Sequence, residues 1–205
     1  LIGETHLNER YYTYDEIRDS LFAWEEQFGT NSNPSSHYPG SGIIFHLEEI
    51  GTSTQDSLPF WAVRLSYNAD IKEDEPRVLF LGQCHAEEIY GVEITMEIID
   101  MLLHPSEHQS YRQNMQAILE TSEIWIVPTY NPEGLTVVHG YTEGEEWVQD
   151  VTYRKNKMDL DSDGLFDFIE GVGNDSDGVD LNRNYDFNWI FGDGLWEEDN
   201  SDGTY

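Results

Sequence analysis

The pattern His-x-x-Glu sets two metal-binding side chains three residues apart, a spacing at which both can reach one ion where a loop enters a helix. It occurs four times in the 205 residues, at His6/Glu9, His46/Glu49, His85/Glu88 and His104/Glu107. Because 41 residues are acidic, spacing alone does not separate a ligand pair from coincidence.

Three of the four pairs lie in unsuitable places. His46 and Glu49 fall in IIFHLEEI, which is typical of a strand, so their side chains point to opposite faces of a sheet. His104 directly precedes Pro105 at the end of a predicted helix, and His6 lies in an unanchored N-terminal segment. We expect both of these histidines to face solvent.

His85 differs from the others by its position. It follows the apolar run RVLFLGQ, at the carboxyl end of a predicted strand, which is where α/β proteins open their ligand crevice. Glu88 begins the helix that follows. Position therefore favours this pair as metal ligands, with an ordinary surface histidine as the alternative.

The rest of the chain predicts elements that position this pair. A helix is expected from a start signal at Thr13 to a stop at Gly29, because apolar residues recur there at helical spacing. The further segments are the strands IIFHLEEIG, FWAVRLSYN, RVLFLGQ and EIWIVPTYNPEG, and the helices EITMEIIDMLL and SEHQSYRQNMQAILE. Strands that alternate with helices indicate an α/β fold with a mixed, largely parallel central sheet and flanking helices.

The composition is that of a folded domain with an unusual charge. Hydrophobic residues make up 38% of the chain, but 41 acidic residues against 10 basic ones give a net charge of −31. This balance opposes binding to nucleic acid or to an anionic membrane surface, and no apolar run is long enough to span a bilayer. A single cysteine, Cys84, excludes an internal disulfide. Together with the calcium-like segment described below, the acidic bias favours a secreted protein.

A second polar constellation lies about a hundred residues downstream, in GVDLNRNYDFNW. Arg183 offers a planar fork of donors that matches a carboxylate, and Asn182 adds another directional donor. The alternative interpretation of these residues is a surface turn.

With these motifs the chain resembles the zinc metallocarboxypeptidase family, that of carboxypeptidases A and B. The resemblance runs in order through YYTYDEI, EEIGTST, LFLGQCHAEEIYGVEI, VPTYNPEGL, YRKN and GVDLNRNYDFNW. It predicts an N-terminal extension at 1–10 and, at 11–205, the N-terminal portion of a catalytic domain, so the fold is expected here in part.

The resemblance implies a role for each matched residue. His85 and Glu88 correspond to two of three protein ligands of a catalytic zinc. Asp180 corresponds to the carboxylate that hydrogen-bonds the other nitrogen of the zinc-binding histidine. Asn182 and Arg183 correspond to the pair that anchors the C-terminal carboxylate of a peptide, which makes the enzyme an exopeptidase.

The chain also departs from the family pattern. The third zinc ligand, a histidine, and the general-base glutamate are expected beyond Tyr205 or in a partner chain, so no catalytic base is assigned within these residues. Chain truncation, proteolytic nicking and an early gene end are the alternatives. After YRKN, where an oxyanion-stabilising arginine is expected, stands Lys157, which is assigned to substrate binding. Glu87 occupies the place of an arginine that helps bind substrate.

A second metal site is predicted in DLDSDGLFDFIE, within an acidic insertion at 159–180. Alternate acidic side chains in such a loop converge on calcium, glycine permits the sharp turn, and a final glutamate can give two oxygens. The predicted ligands are Asp159, Asp161, Asp163, Leu165 through its carbonyl, Asp167 and Glu170, with Asp175 and Asp177 as a possible second site. A solvated acidic insertion is the alternative.

The sequence therefore predicts a secreted zinc-dependent metallocarboxypeptidase that releases C-terminal residues from peptides or proteins and uses calcium as a second cation. By this prediction the 205 residues alone are inactive. The alternative is a catalytically incomplete, calcium-stabilised peptide-binding module that keeps the carboxylate anchor.

Overall fold

The structure is a computed structural model that describes residues 7–30, 37–105, 110–143, 145–162, 164, 166 and 177–185. Its helices are α1 (Tyr14–Phe28), α2 (Tyr90–Leu103), α3 (Arg112–Thr121) and α4 (Pro132–His139), with short 3-10 turns at Leu7–Glu9 and Leu181–Arg183. Its strands are β1 (Phe45–Thr52), β2 (Pro59–Leu65), β3 (Arg77–Gln83), β4 (Glu123–Thr129), β5 (Tyr141–Glu143) and β6 (Glu146–Val148).

The first helix begins and ends where the sequence predicts. Thr13 forms a capping box, because its hydroxyl accepts from the backbone N–H of Glu16 while the Glu16 carboxylate accepts from the backbone N–H of Thr13. Gly29 closes the helix, and its backbone N–H donates to the carbonyl of Glu25 at 2.8 Å. These local hydrogen bonds satisfy backbone groups that a helix end leaves unpaired.

The main sheet is mixed, as predicted, with strand order β1-β2-β4-β3, but within the described residues it is not largely parallel. The β1/β2 and β2/β4 pairs are antiparallel, and the β3/β4 pair is parallel. Because β3 and β4 are parallel neighbours, their carboxyl ends lie at the same edge of the sheet. His85 follows β3 and Asn131 follows β4 at this edge.

Helices cover one face of the sheet and form the main core with it. The buried residues of this core include Ile17 and Leu21 of α1, Met96 and Ile99 of α2, Val63 of β2 and Ile126 of β4. The packing holds α2 against β3 and β4. The candidate ligand Glu88 does not begin this helix, as the sequence predicts, but lies in the loop two residues before it.

The strand β3 lies at one edge of the described sheet and is exposed. Val78, Leu79, Phe80 and Leu81 are 44, 59, 39 and 48% exposed. An apolar run such as RVLFLGQ is typical of a strand that is buried on both faces of a sheet. Here the described residues cover these four side chains only in part. Val78 and Phe80 lie on one face of the strand, and Leu79 and Leu81 lie on the other.

No helix within the described residues is both long and apolar enough to cross a membrane.

Candidate metal centre

His85 and Glu88 face each other at the carboxyl end of β3. The Nδ1 atom of His85 lies 3.0 Å from Oε2 of Glu88. The His85 side chain is 9% exposed and that of Glu88 is 60% exposed. The histidine is therefore held by the fold, while the carboxylate stands at an open surface that an ion and a substrate can reach.

Asp180 and Arg154 surround the other nitrogen of the histidine. Oδ1 of Asp180 lies 3.3 Å from Nε2 of His85, and Nη2 of Arg154 lies 2.7 Å from the same atom. Arg154 also donates from Nε to Oδ2 of Asp180 at 2.8 Å and from Nη1 to Oε1 of Glu87 at 3.2 Å. One guanidinium thus joins the histidine to two carboxylates.

The charged groups of this cluster stabilise one another's ionised forms. Burial raises the pKa of Asp180, but the hydrogen bond and charge of Arg154 outweigh it, so the pKa lies below its ordinary value. Burial likewise opposes the charge of Arg154, and its bonds to Asp180 and Glu87 raise its pKa in net. Asp180 and Arg154 are therefore both ionised at neutral pH.

Asn182 and Arg183 follow directly from Asp180. The Asp180 side chain caps the short 3-10 turn, because its Oδ1 accepts from the backbone N–H of Asn182 at 2.9 Å. Both Asn182 and Arg183 are exposed, and Nη1 of Arg183 donates to the carbonyl of Asn182 at 3.1 Å. The same carboxylate that faces His85 therefore fixes the start of the segment proposed to anchor substrate.

The predicted calcium loop is described only in part. Both oxygens of Asp159 accept backbone N–H groups, from Ser162 at 2.6 Å and Gly164 at 2.8 Å, and Gly164 has a φ of +88°. Asp177 is buried, and its Oδ1 accepts from the N–H of Leu160 at 3.0 Å. The predicted ligands Asp163, Leu165, Asp167, Glu170 and Asp175 lie outside the described residues.

Known proteins identify the family. The family model described as "Zinc carboxypeptidase" matches residues 35–204. The chain belongs to the zinc carboxypeptidase family. Among its relatives, a zinc carboxypeptidase of Saccharothrix mutabilis subsp. capreolus is 27% identical over 146 residues, which cover 71% of this chain and 28% of the relative. Carboxypeptidase Z of Homo sapiens is 28% identical over 118 residues, which cover 54% of this chain and 18% of the relative.

Solved structures of carboxypeptidases share the fold. Carboxypeptidase A from Helicoverpa armigera superposes with a TM-score of 0.61 at 19% identity, over 89% of this chain and 36% of that one. Thrombin activatable fibrinolysis inhibitor superposes with a TM-score of 0.60 at 15% identity, with the same coverage of both chains. The chain covers 36% or less of the length of each of these four proteins.

The residues at the end of β3 fit the zinc ion that the family's name implies. Nitrogen and oxygen ligands bind zinc at about 2.0 to 2.1 Å, so two of them at tetrahedral corners stand about 3.3 Å apart. The Nδ1 and Oε2 atoms of His85 and Glu88 are 3.0 Å apart, so a small opening of the pair admits the ion. Asp180 stands behind the ring, where a zinc-binding histidine needs an acceptor.

Zinc binding and the contact with Arg154 require different tautomers of the His85 ring. If Nδ1 binds a metal, Nε2 carries the proton and donates to Asp180. A hydrogen bond from Arg154 to Nε2 requires the opposite tautomer, with the proton on Nδ1 shared with Glu88. With a metal on Nδ1, Nε2 would therefore be a donor, and Arg154 would not donate to it.

The described residues do not hold a complete set of metal ligands. Across the described ranges, no group of three or more His, Cys, Asp or Glu side chains is placed to hold a metal ion. The two zinc ligands expected in this chain, His85 and Glu88, are together, and the third is not among these residues.

The cation that contacts His85 is Arg154, to which the sequence assigned no role, whereas Lys157 contacts Asp56. Nζ of Lys157 bonds Oδ2 of Asp56 at 2.9 Å and lies 4.3 Å from the centroid of the Tyr141 ring. Its side chain is 5% exposed, so the amine is buried in its contact with Asp56. The YRKN motif contains the signal that could have identified Arg154, because it carries the arginine within the motif itself.

Proposed function

We propose that this chain is part of a zinc-dependent metallocarboxypeptidase that releases C-terminal residues from peptides or proteins. The observation that carries the proposal is the placement of Asp180. This residue contacts His85 through one oxygen and Arg154 through the other, and it caps the turn Leu181–Arg183, which contains Asn182. One carboxylate thereby links a metal ligand, a cation and a carboxylate anchor.

Each of these side chains has a chemical role in the proposal. His85 and Glu88 hold the metal, and Asp180 keeps the proton on Nε2. When bound, zinc lowers the pKa of a coordinated water and polarises the scissile carbonyl. Arg154, rather than Lys157, donates to the negative charge that develops on the carbonyl oxygen.

The substrate carboxylate is bound by Arg183 and Asn182. A guanidinium and an amide offer several N–H donors to the two oxygens of a terminal carboxylate, which restricts cleavage to the last residue. The test is hydrolysis, by the complete gene product, of a peptide with a free C-terminus and of the same peptide amidated. Cleavage of the free peptide alone supports the proposal, and equal cleavage of both would refute it.

We further propose that the third zinc ligand, a histidine, and the general-base glutamate come from beyond Tyr205 or from a partner chain. The support is the exposed apolar surface of β3, residues 78–81, which the remainder of a catalytic domain would cover. The amides of β3 should then be protected from hydrogen exchange in the complete protein. Rapid exchange of β3 in catalytically active protein would contradict this.

Calcium is proposed as a second cation, bound by the 159–170 loop, with Asp175 and Asp177 as a weaker site. The support is the spacing of the acidic residues and the positive φ of Gly164 at the turn. Isothermal titration with calcium should show binding that the Asp159→Asn variant weakens.

A secreted location is proposed from the net charge of −31 and the calcium-like loop. Recovery of the active protein from the producing organism's medium would support this, and its retention inside the cells would contradict it.

A further inference from the structure

Asn131 lies between the two segments that carry His85 and Arg154. The residue is 2% exposed. Its Nδ2 donates to the carbonyl of Cys84 at 2.9 Å and to the carbonyl of Lys155 at 3.0 Å. Cys84 directly precedes His85, and Lys155 directly follows Arg154. One buried amide therefore bridges the backbone beside the metal ligand and the backbone beside the cation.

The remaining polar groups of Asn131 hold this amide in place. Oδ1 accepts from the backbone N–H of Gly134 at 3.0 Å, and the backbone N–H of Asn131 donates to Oγ1 of Thr129 at 3.1 Å. The Thr129 hydroxyl bonds Oε1 of Gln83, whose Nε2 donates to the carbonyl of Ala86 at 3.3 Å. A reversed amide would set its oxygen against two carbonyls, so the hydrogen bonds determine its orientation.

The start of α4 presses against both segments. A Cβ atom at Gly134 would come 2.5 Å from the carbonyl oxygen of Lys155 and 2.8 Å from Cβ of Ala86, so a side chain here would displace them. The backbone N–H of Ala86 also donates to the carbonyl of Arg154 at 3.0 Å. The two segments and the helix start are thus packed as one unit around the Asn131 side chain.

We propose that Asn131 is a positioning residue that sets the place of His85 relative to Arg154 and thereby the geometry of the zinc site. The inference rests on the proposed zinc function. Replacing the amide with a carboxylate turns two donated hydrogen bonds into repulsions between oxygen atoms, while the cap to Gly134 is kept. The segments that carry His85 and Arg154 then separate.

The experiment compares Asn131→Asp with Asn156→Asp in the complete gene product. Asn156 is a matched control, because its Oδ1 accepts from the N–H groups of Met158 at 3.3 Å and Val179 at 2.8 Å, and an aspartate keeps both bonds. Both variants add the same charge near the site. The readouts are the zinc dissociation constant, the visible absorption spectrum of the cobalt-substituted protein, and kcat and KM separately.

Asn131→Asp should raise the zinc dissociation constant about tenfold, by analogy with groups that orient metal ligands, shift the cobalt spectrum, and lower kcat more than it raises KM. Asn156→Asp should retain wild-type values. If Asn131→Asp does not fold, Asn131→Ser replaces it, since serine still caps α4 but does not bridge both carbonyls.

Wild-type zinc affinity and cobalt spectrum in a folded Asn131 variant would overturn this inference alone, and so would equal losses in the Asn156 control. A wild-type protein that binds no zinc would contradict the proposed function itself.

Discussion

The guanidinium of Arg154 touches the imidazole of His85, with 2.7 Å between Nη2 and Nε2. The two residues are 69 positions apart, and Asp180 contacts both of them. A candidate metal ligand and a neighbouring cation are therefore held in one partly buried cluster. Mutations of the cluster should separate metal binding from stabilisation of charge on the substrate.

Arg154→Lys tests the cation. Lysine provides one ammonium group, which cannot serve the bonds to Asp180, Glu87 and His85 together. We expect kcat/KM to fall about 100-fold, the typical effect of losing one charge-stabilising donor. Zinc content measured by atomic emission should stay at the wild-type level. Unchanged kcat/KM would remove Arg154 from the mechanism.

Lys157→Met is the companion variant. It leaves the partly exposed carboxylate of Asp56 without its buried partner, so the free energy of unfolding should fall by about 1 to 2 kcal/mol. Because the Lys157 amine bonds Asp56 and not the His85 cluster, kcat/KM should remain within about twofold. If kcat/KM falls as far as in Arg154→Lys, then Lys157 is the residue that stabilises charge on the substrate.

Arg183→Gln tests the substrate anchor. Hydrogen bonds to charged groups contribute about 1.5 to 3 kcal/mol, so kcat/KM for a peptide with a free C-terminus should fall roughly 10- to 150-fold. Arg112→Gln, at an exposed position on α3, is the control and should cause no such loss. If the two variants behave alike, Arg183 does not bind the substrate carboxylate.

Calcium removal tests the acidic loop. A calcium-selective chelator should lower the melting temperature of the wild-type protein, since the bound ion stabilises only the folded state. The Asp159→Asn variant should melt at one temperature with or without chelator. Zinc must remain bound throughout, and an unchanged wild-type melting temperature under these conditions would argue against the calcium site.

The Glu123–Arg77 pair predicts how stability depends on pH. The hydrogen bond from Arg77 lowers the pKa of Glu123 below its ordinary value, so the folded state favours the carboxylate. This stabilisation is complete above the ordinary glutamate pKa and is lost as the pH falls through the lowered value.

The measurement is chemical denaturation across the acid range with Glu123→Gln and the exposed control Glu26→Gln. The stability gap between wild type and Glu123→Gln should shrink as the pH falls below about 4, while Glu26→Gln should follow the wild type. A gap that stays constant with pH would contradict the assignment.

Local patterns in the sequence predict much of this fold, because they are satisfied by neighbours in the chain. The limits of α1 follow from Thr13, Glu16 and Gly29, and the order of β3, α2 and β4 follows from apolar periodicity. The helix α4 was not predicted, since its opening Asn131–Pro132 resembles a turn; the Asn131 side chain caps it instead.

The sequence predicts those parts of the candidate site whose residues are close together in one motif. It does not predict contacts between residues that only the fold brings together. His85 and Glu88 are three residues apart, and Asp180 is two residues from Asn182. The contacts of Arg154 with Asp180 and His85 join residues 26 and 69 positions apart, and no local pattern encodes them. For the same reason the sequence does not predict the salt bridge between Lys157 and Asp56, which are 101 positions apart.

The zinc content of the complete gene product, measured for wild type, Glu88→Gln and Glu87→Gln, tests the central claim most directly. The two glutamates are adjacent, but Glu88 faces Nδ1 of His85 and Glu87 bonds Arg154. We expect one zinc per molecule in the wild type and in Glu87→Gln, and little or none in Glu88→Gln. Full zinc content in Glu88→Gln, or its loss in Glu87→Gln alone, would contradict the account.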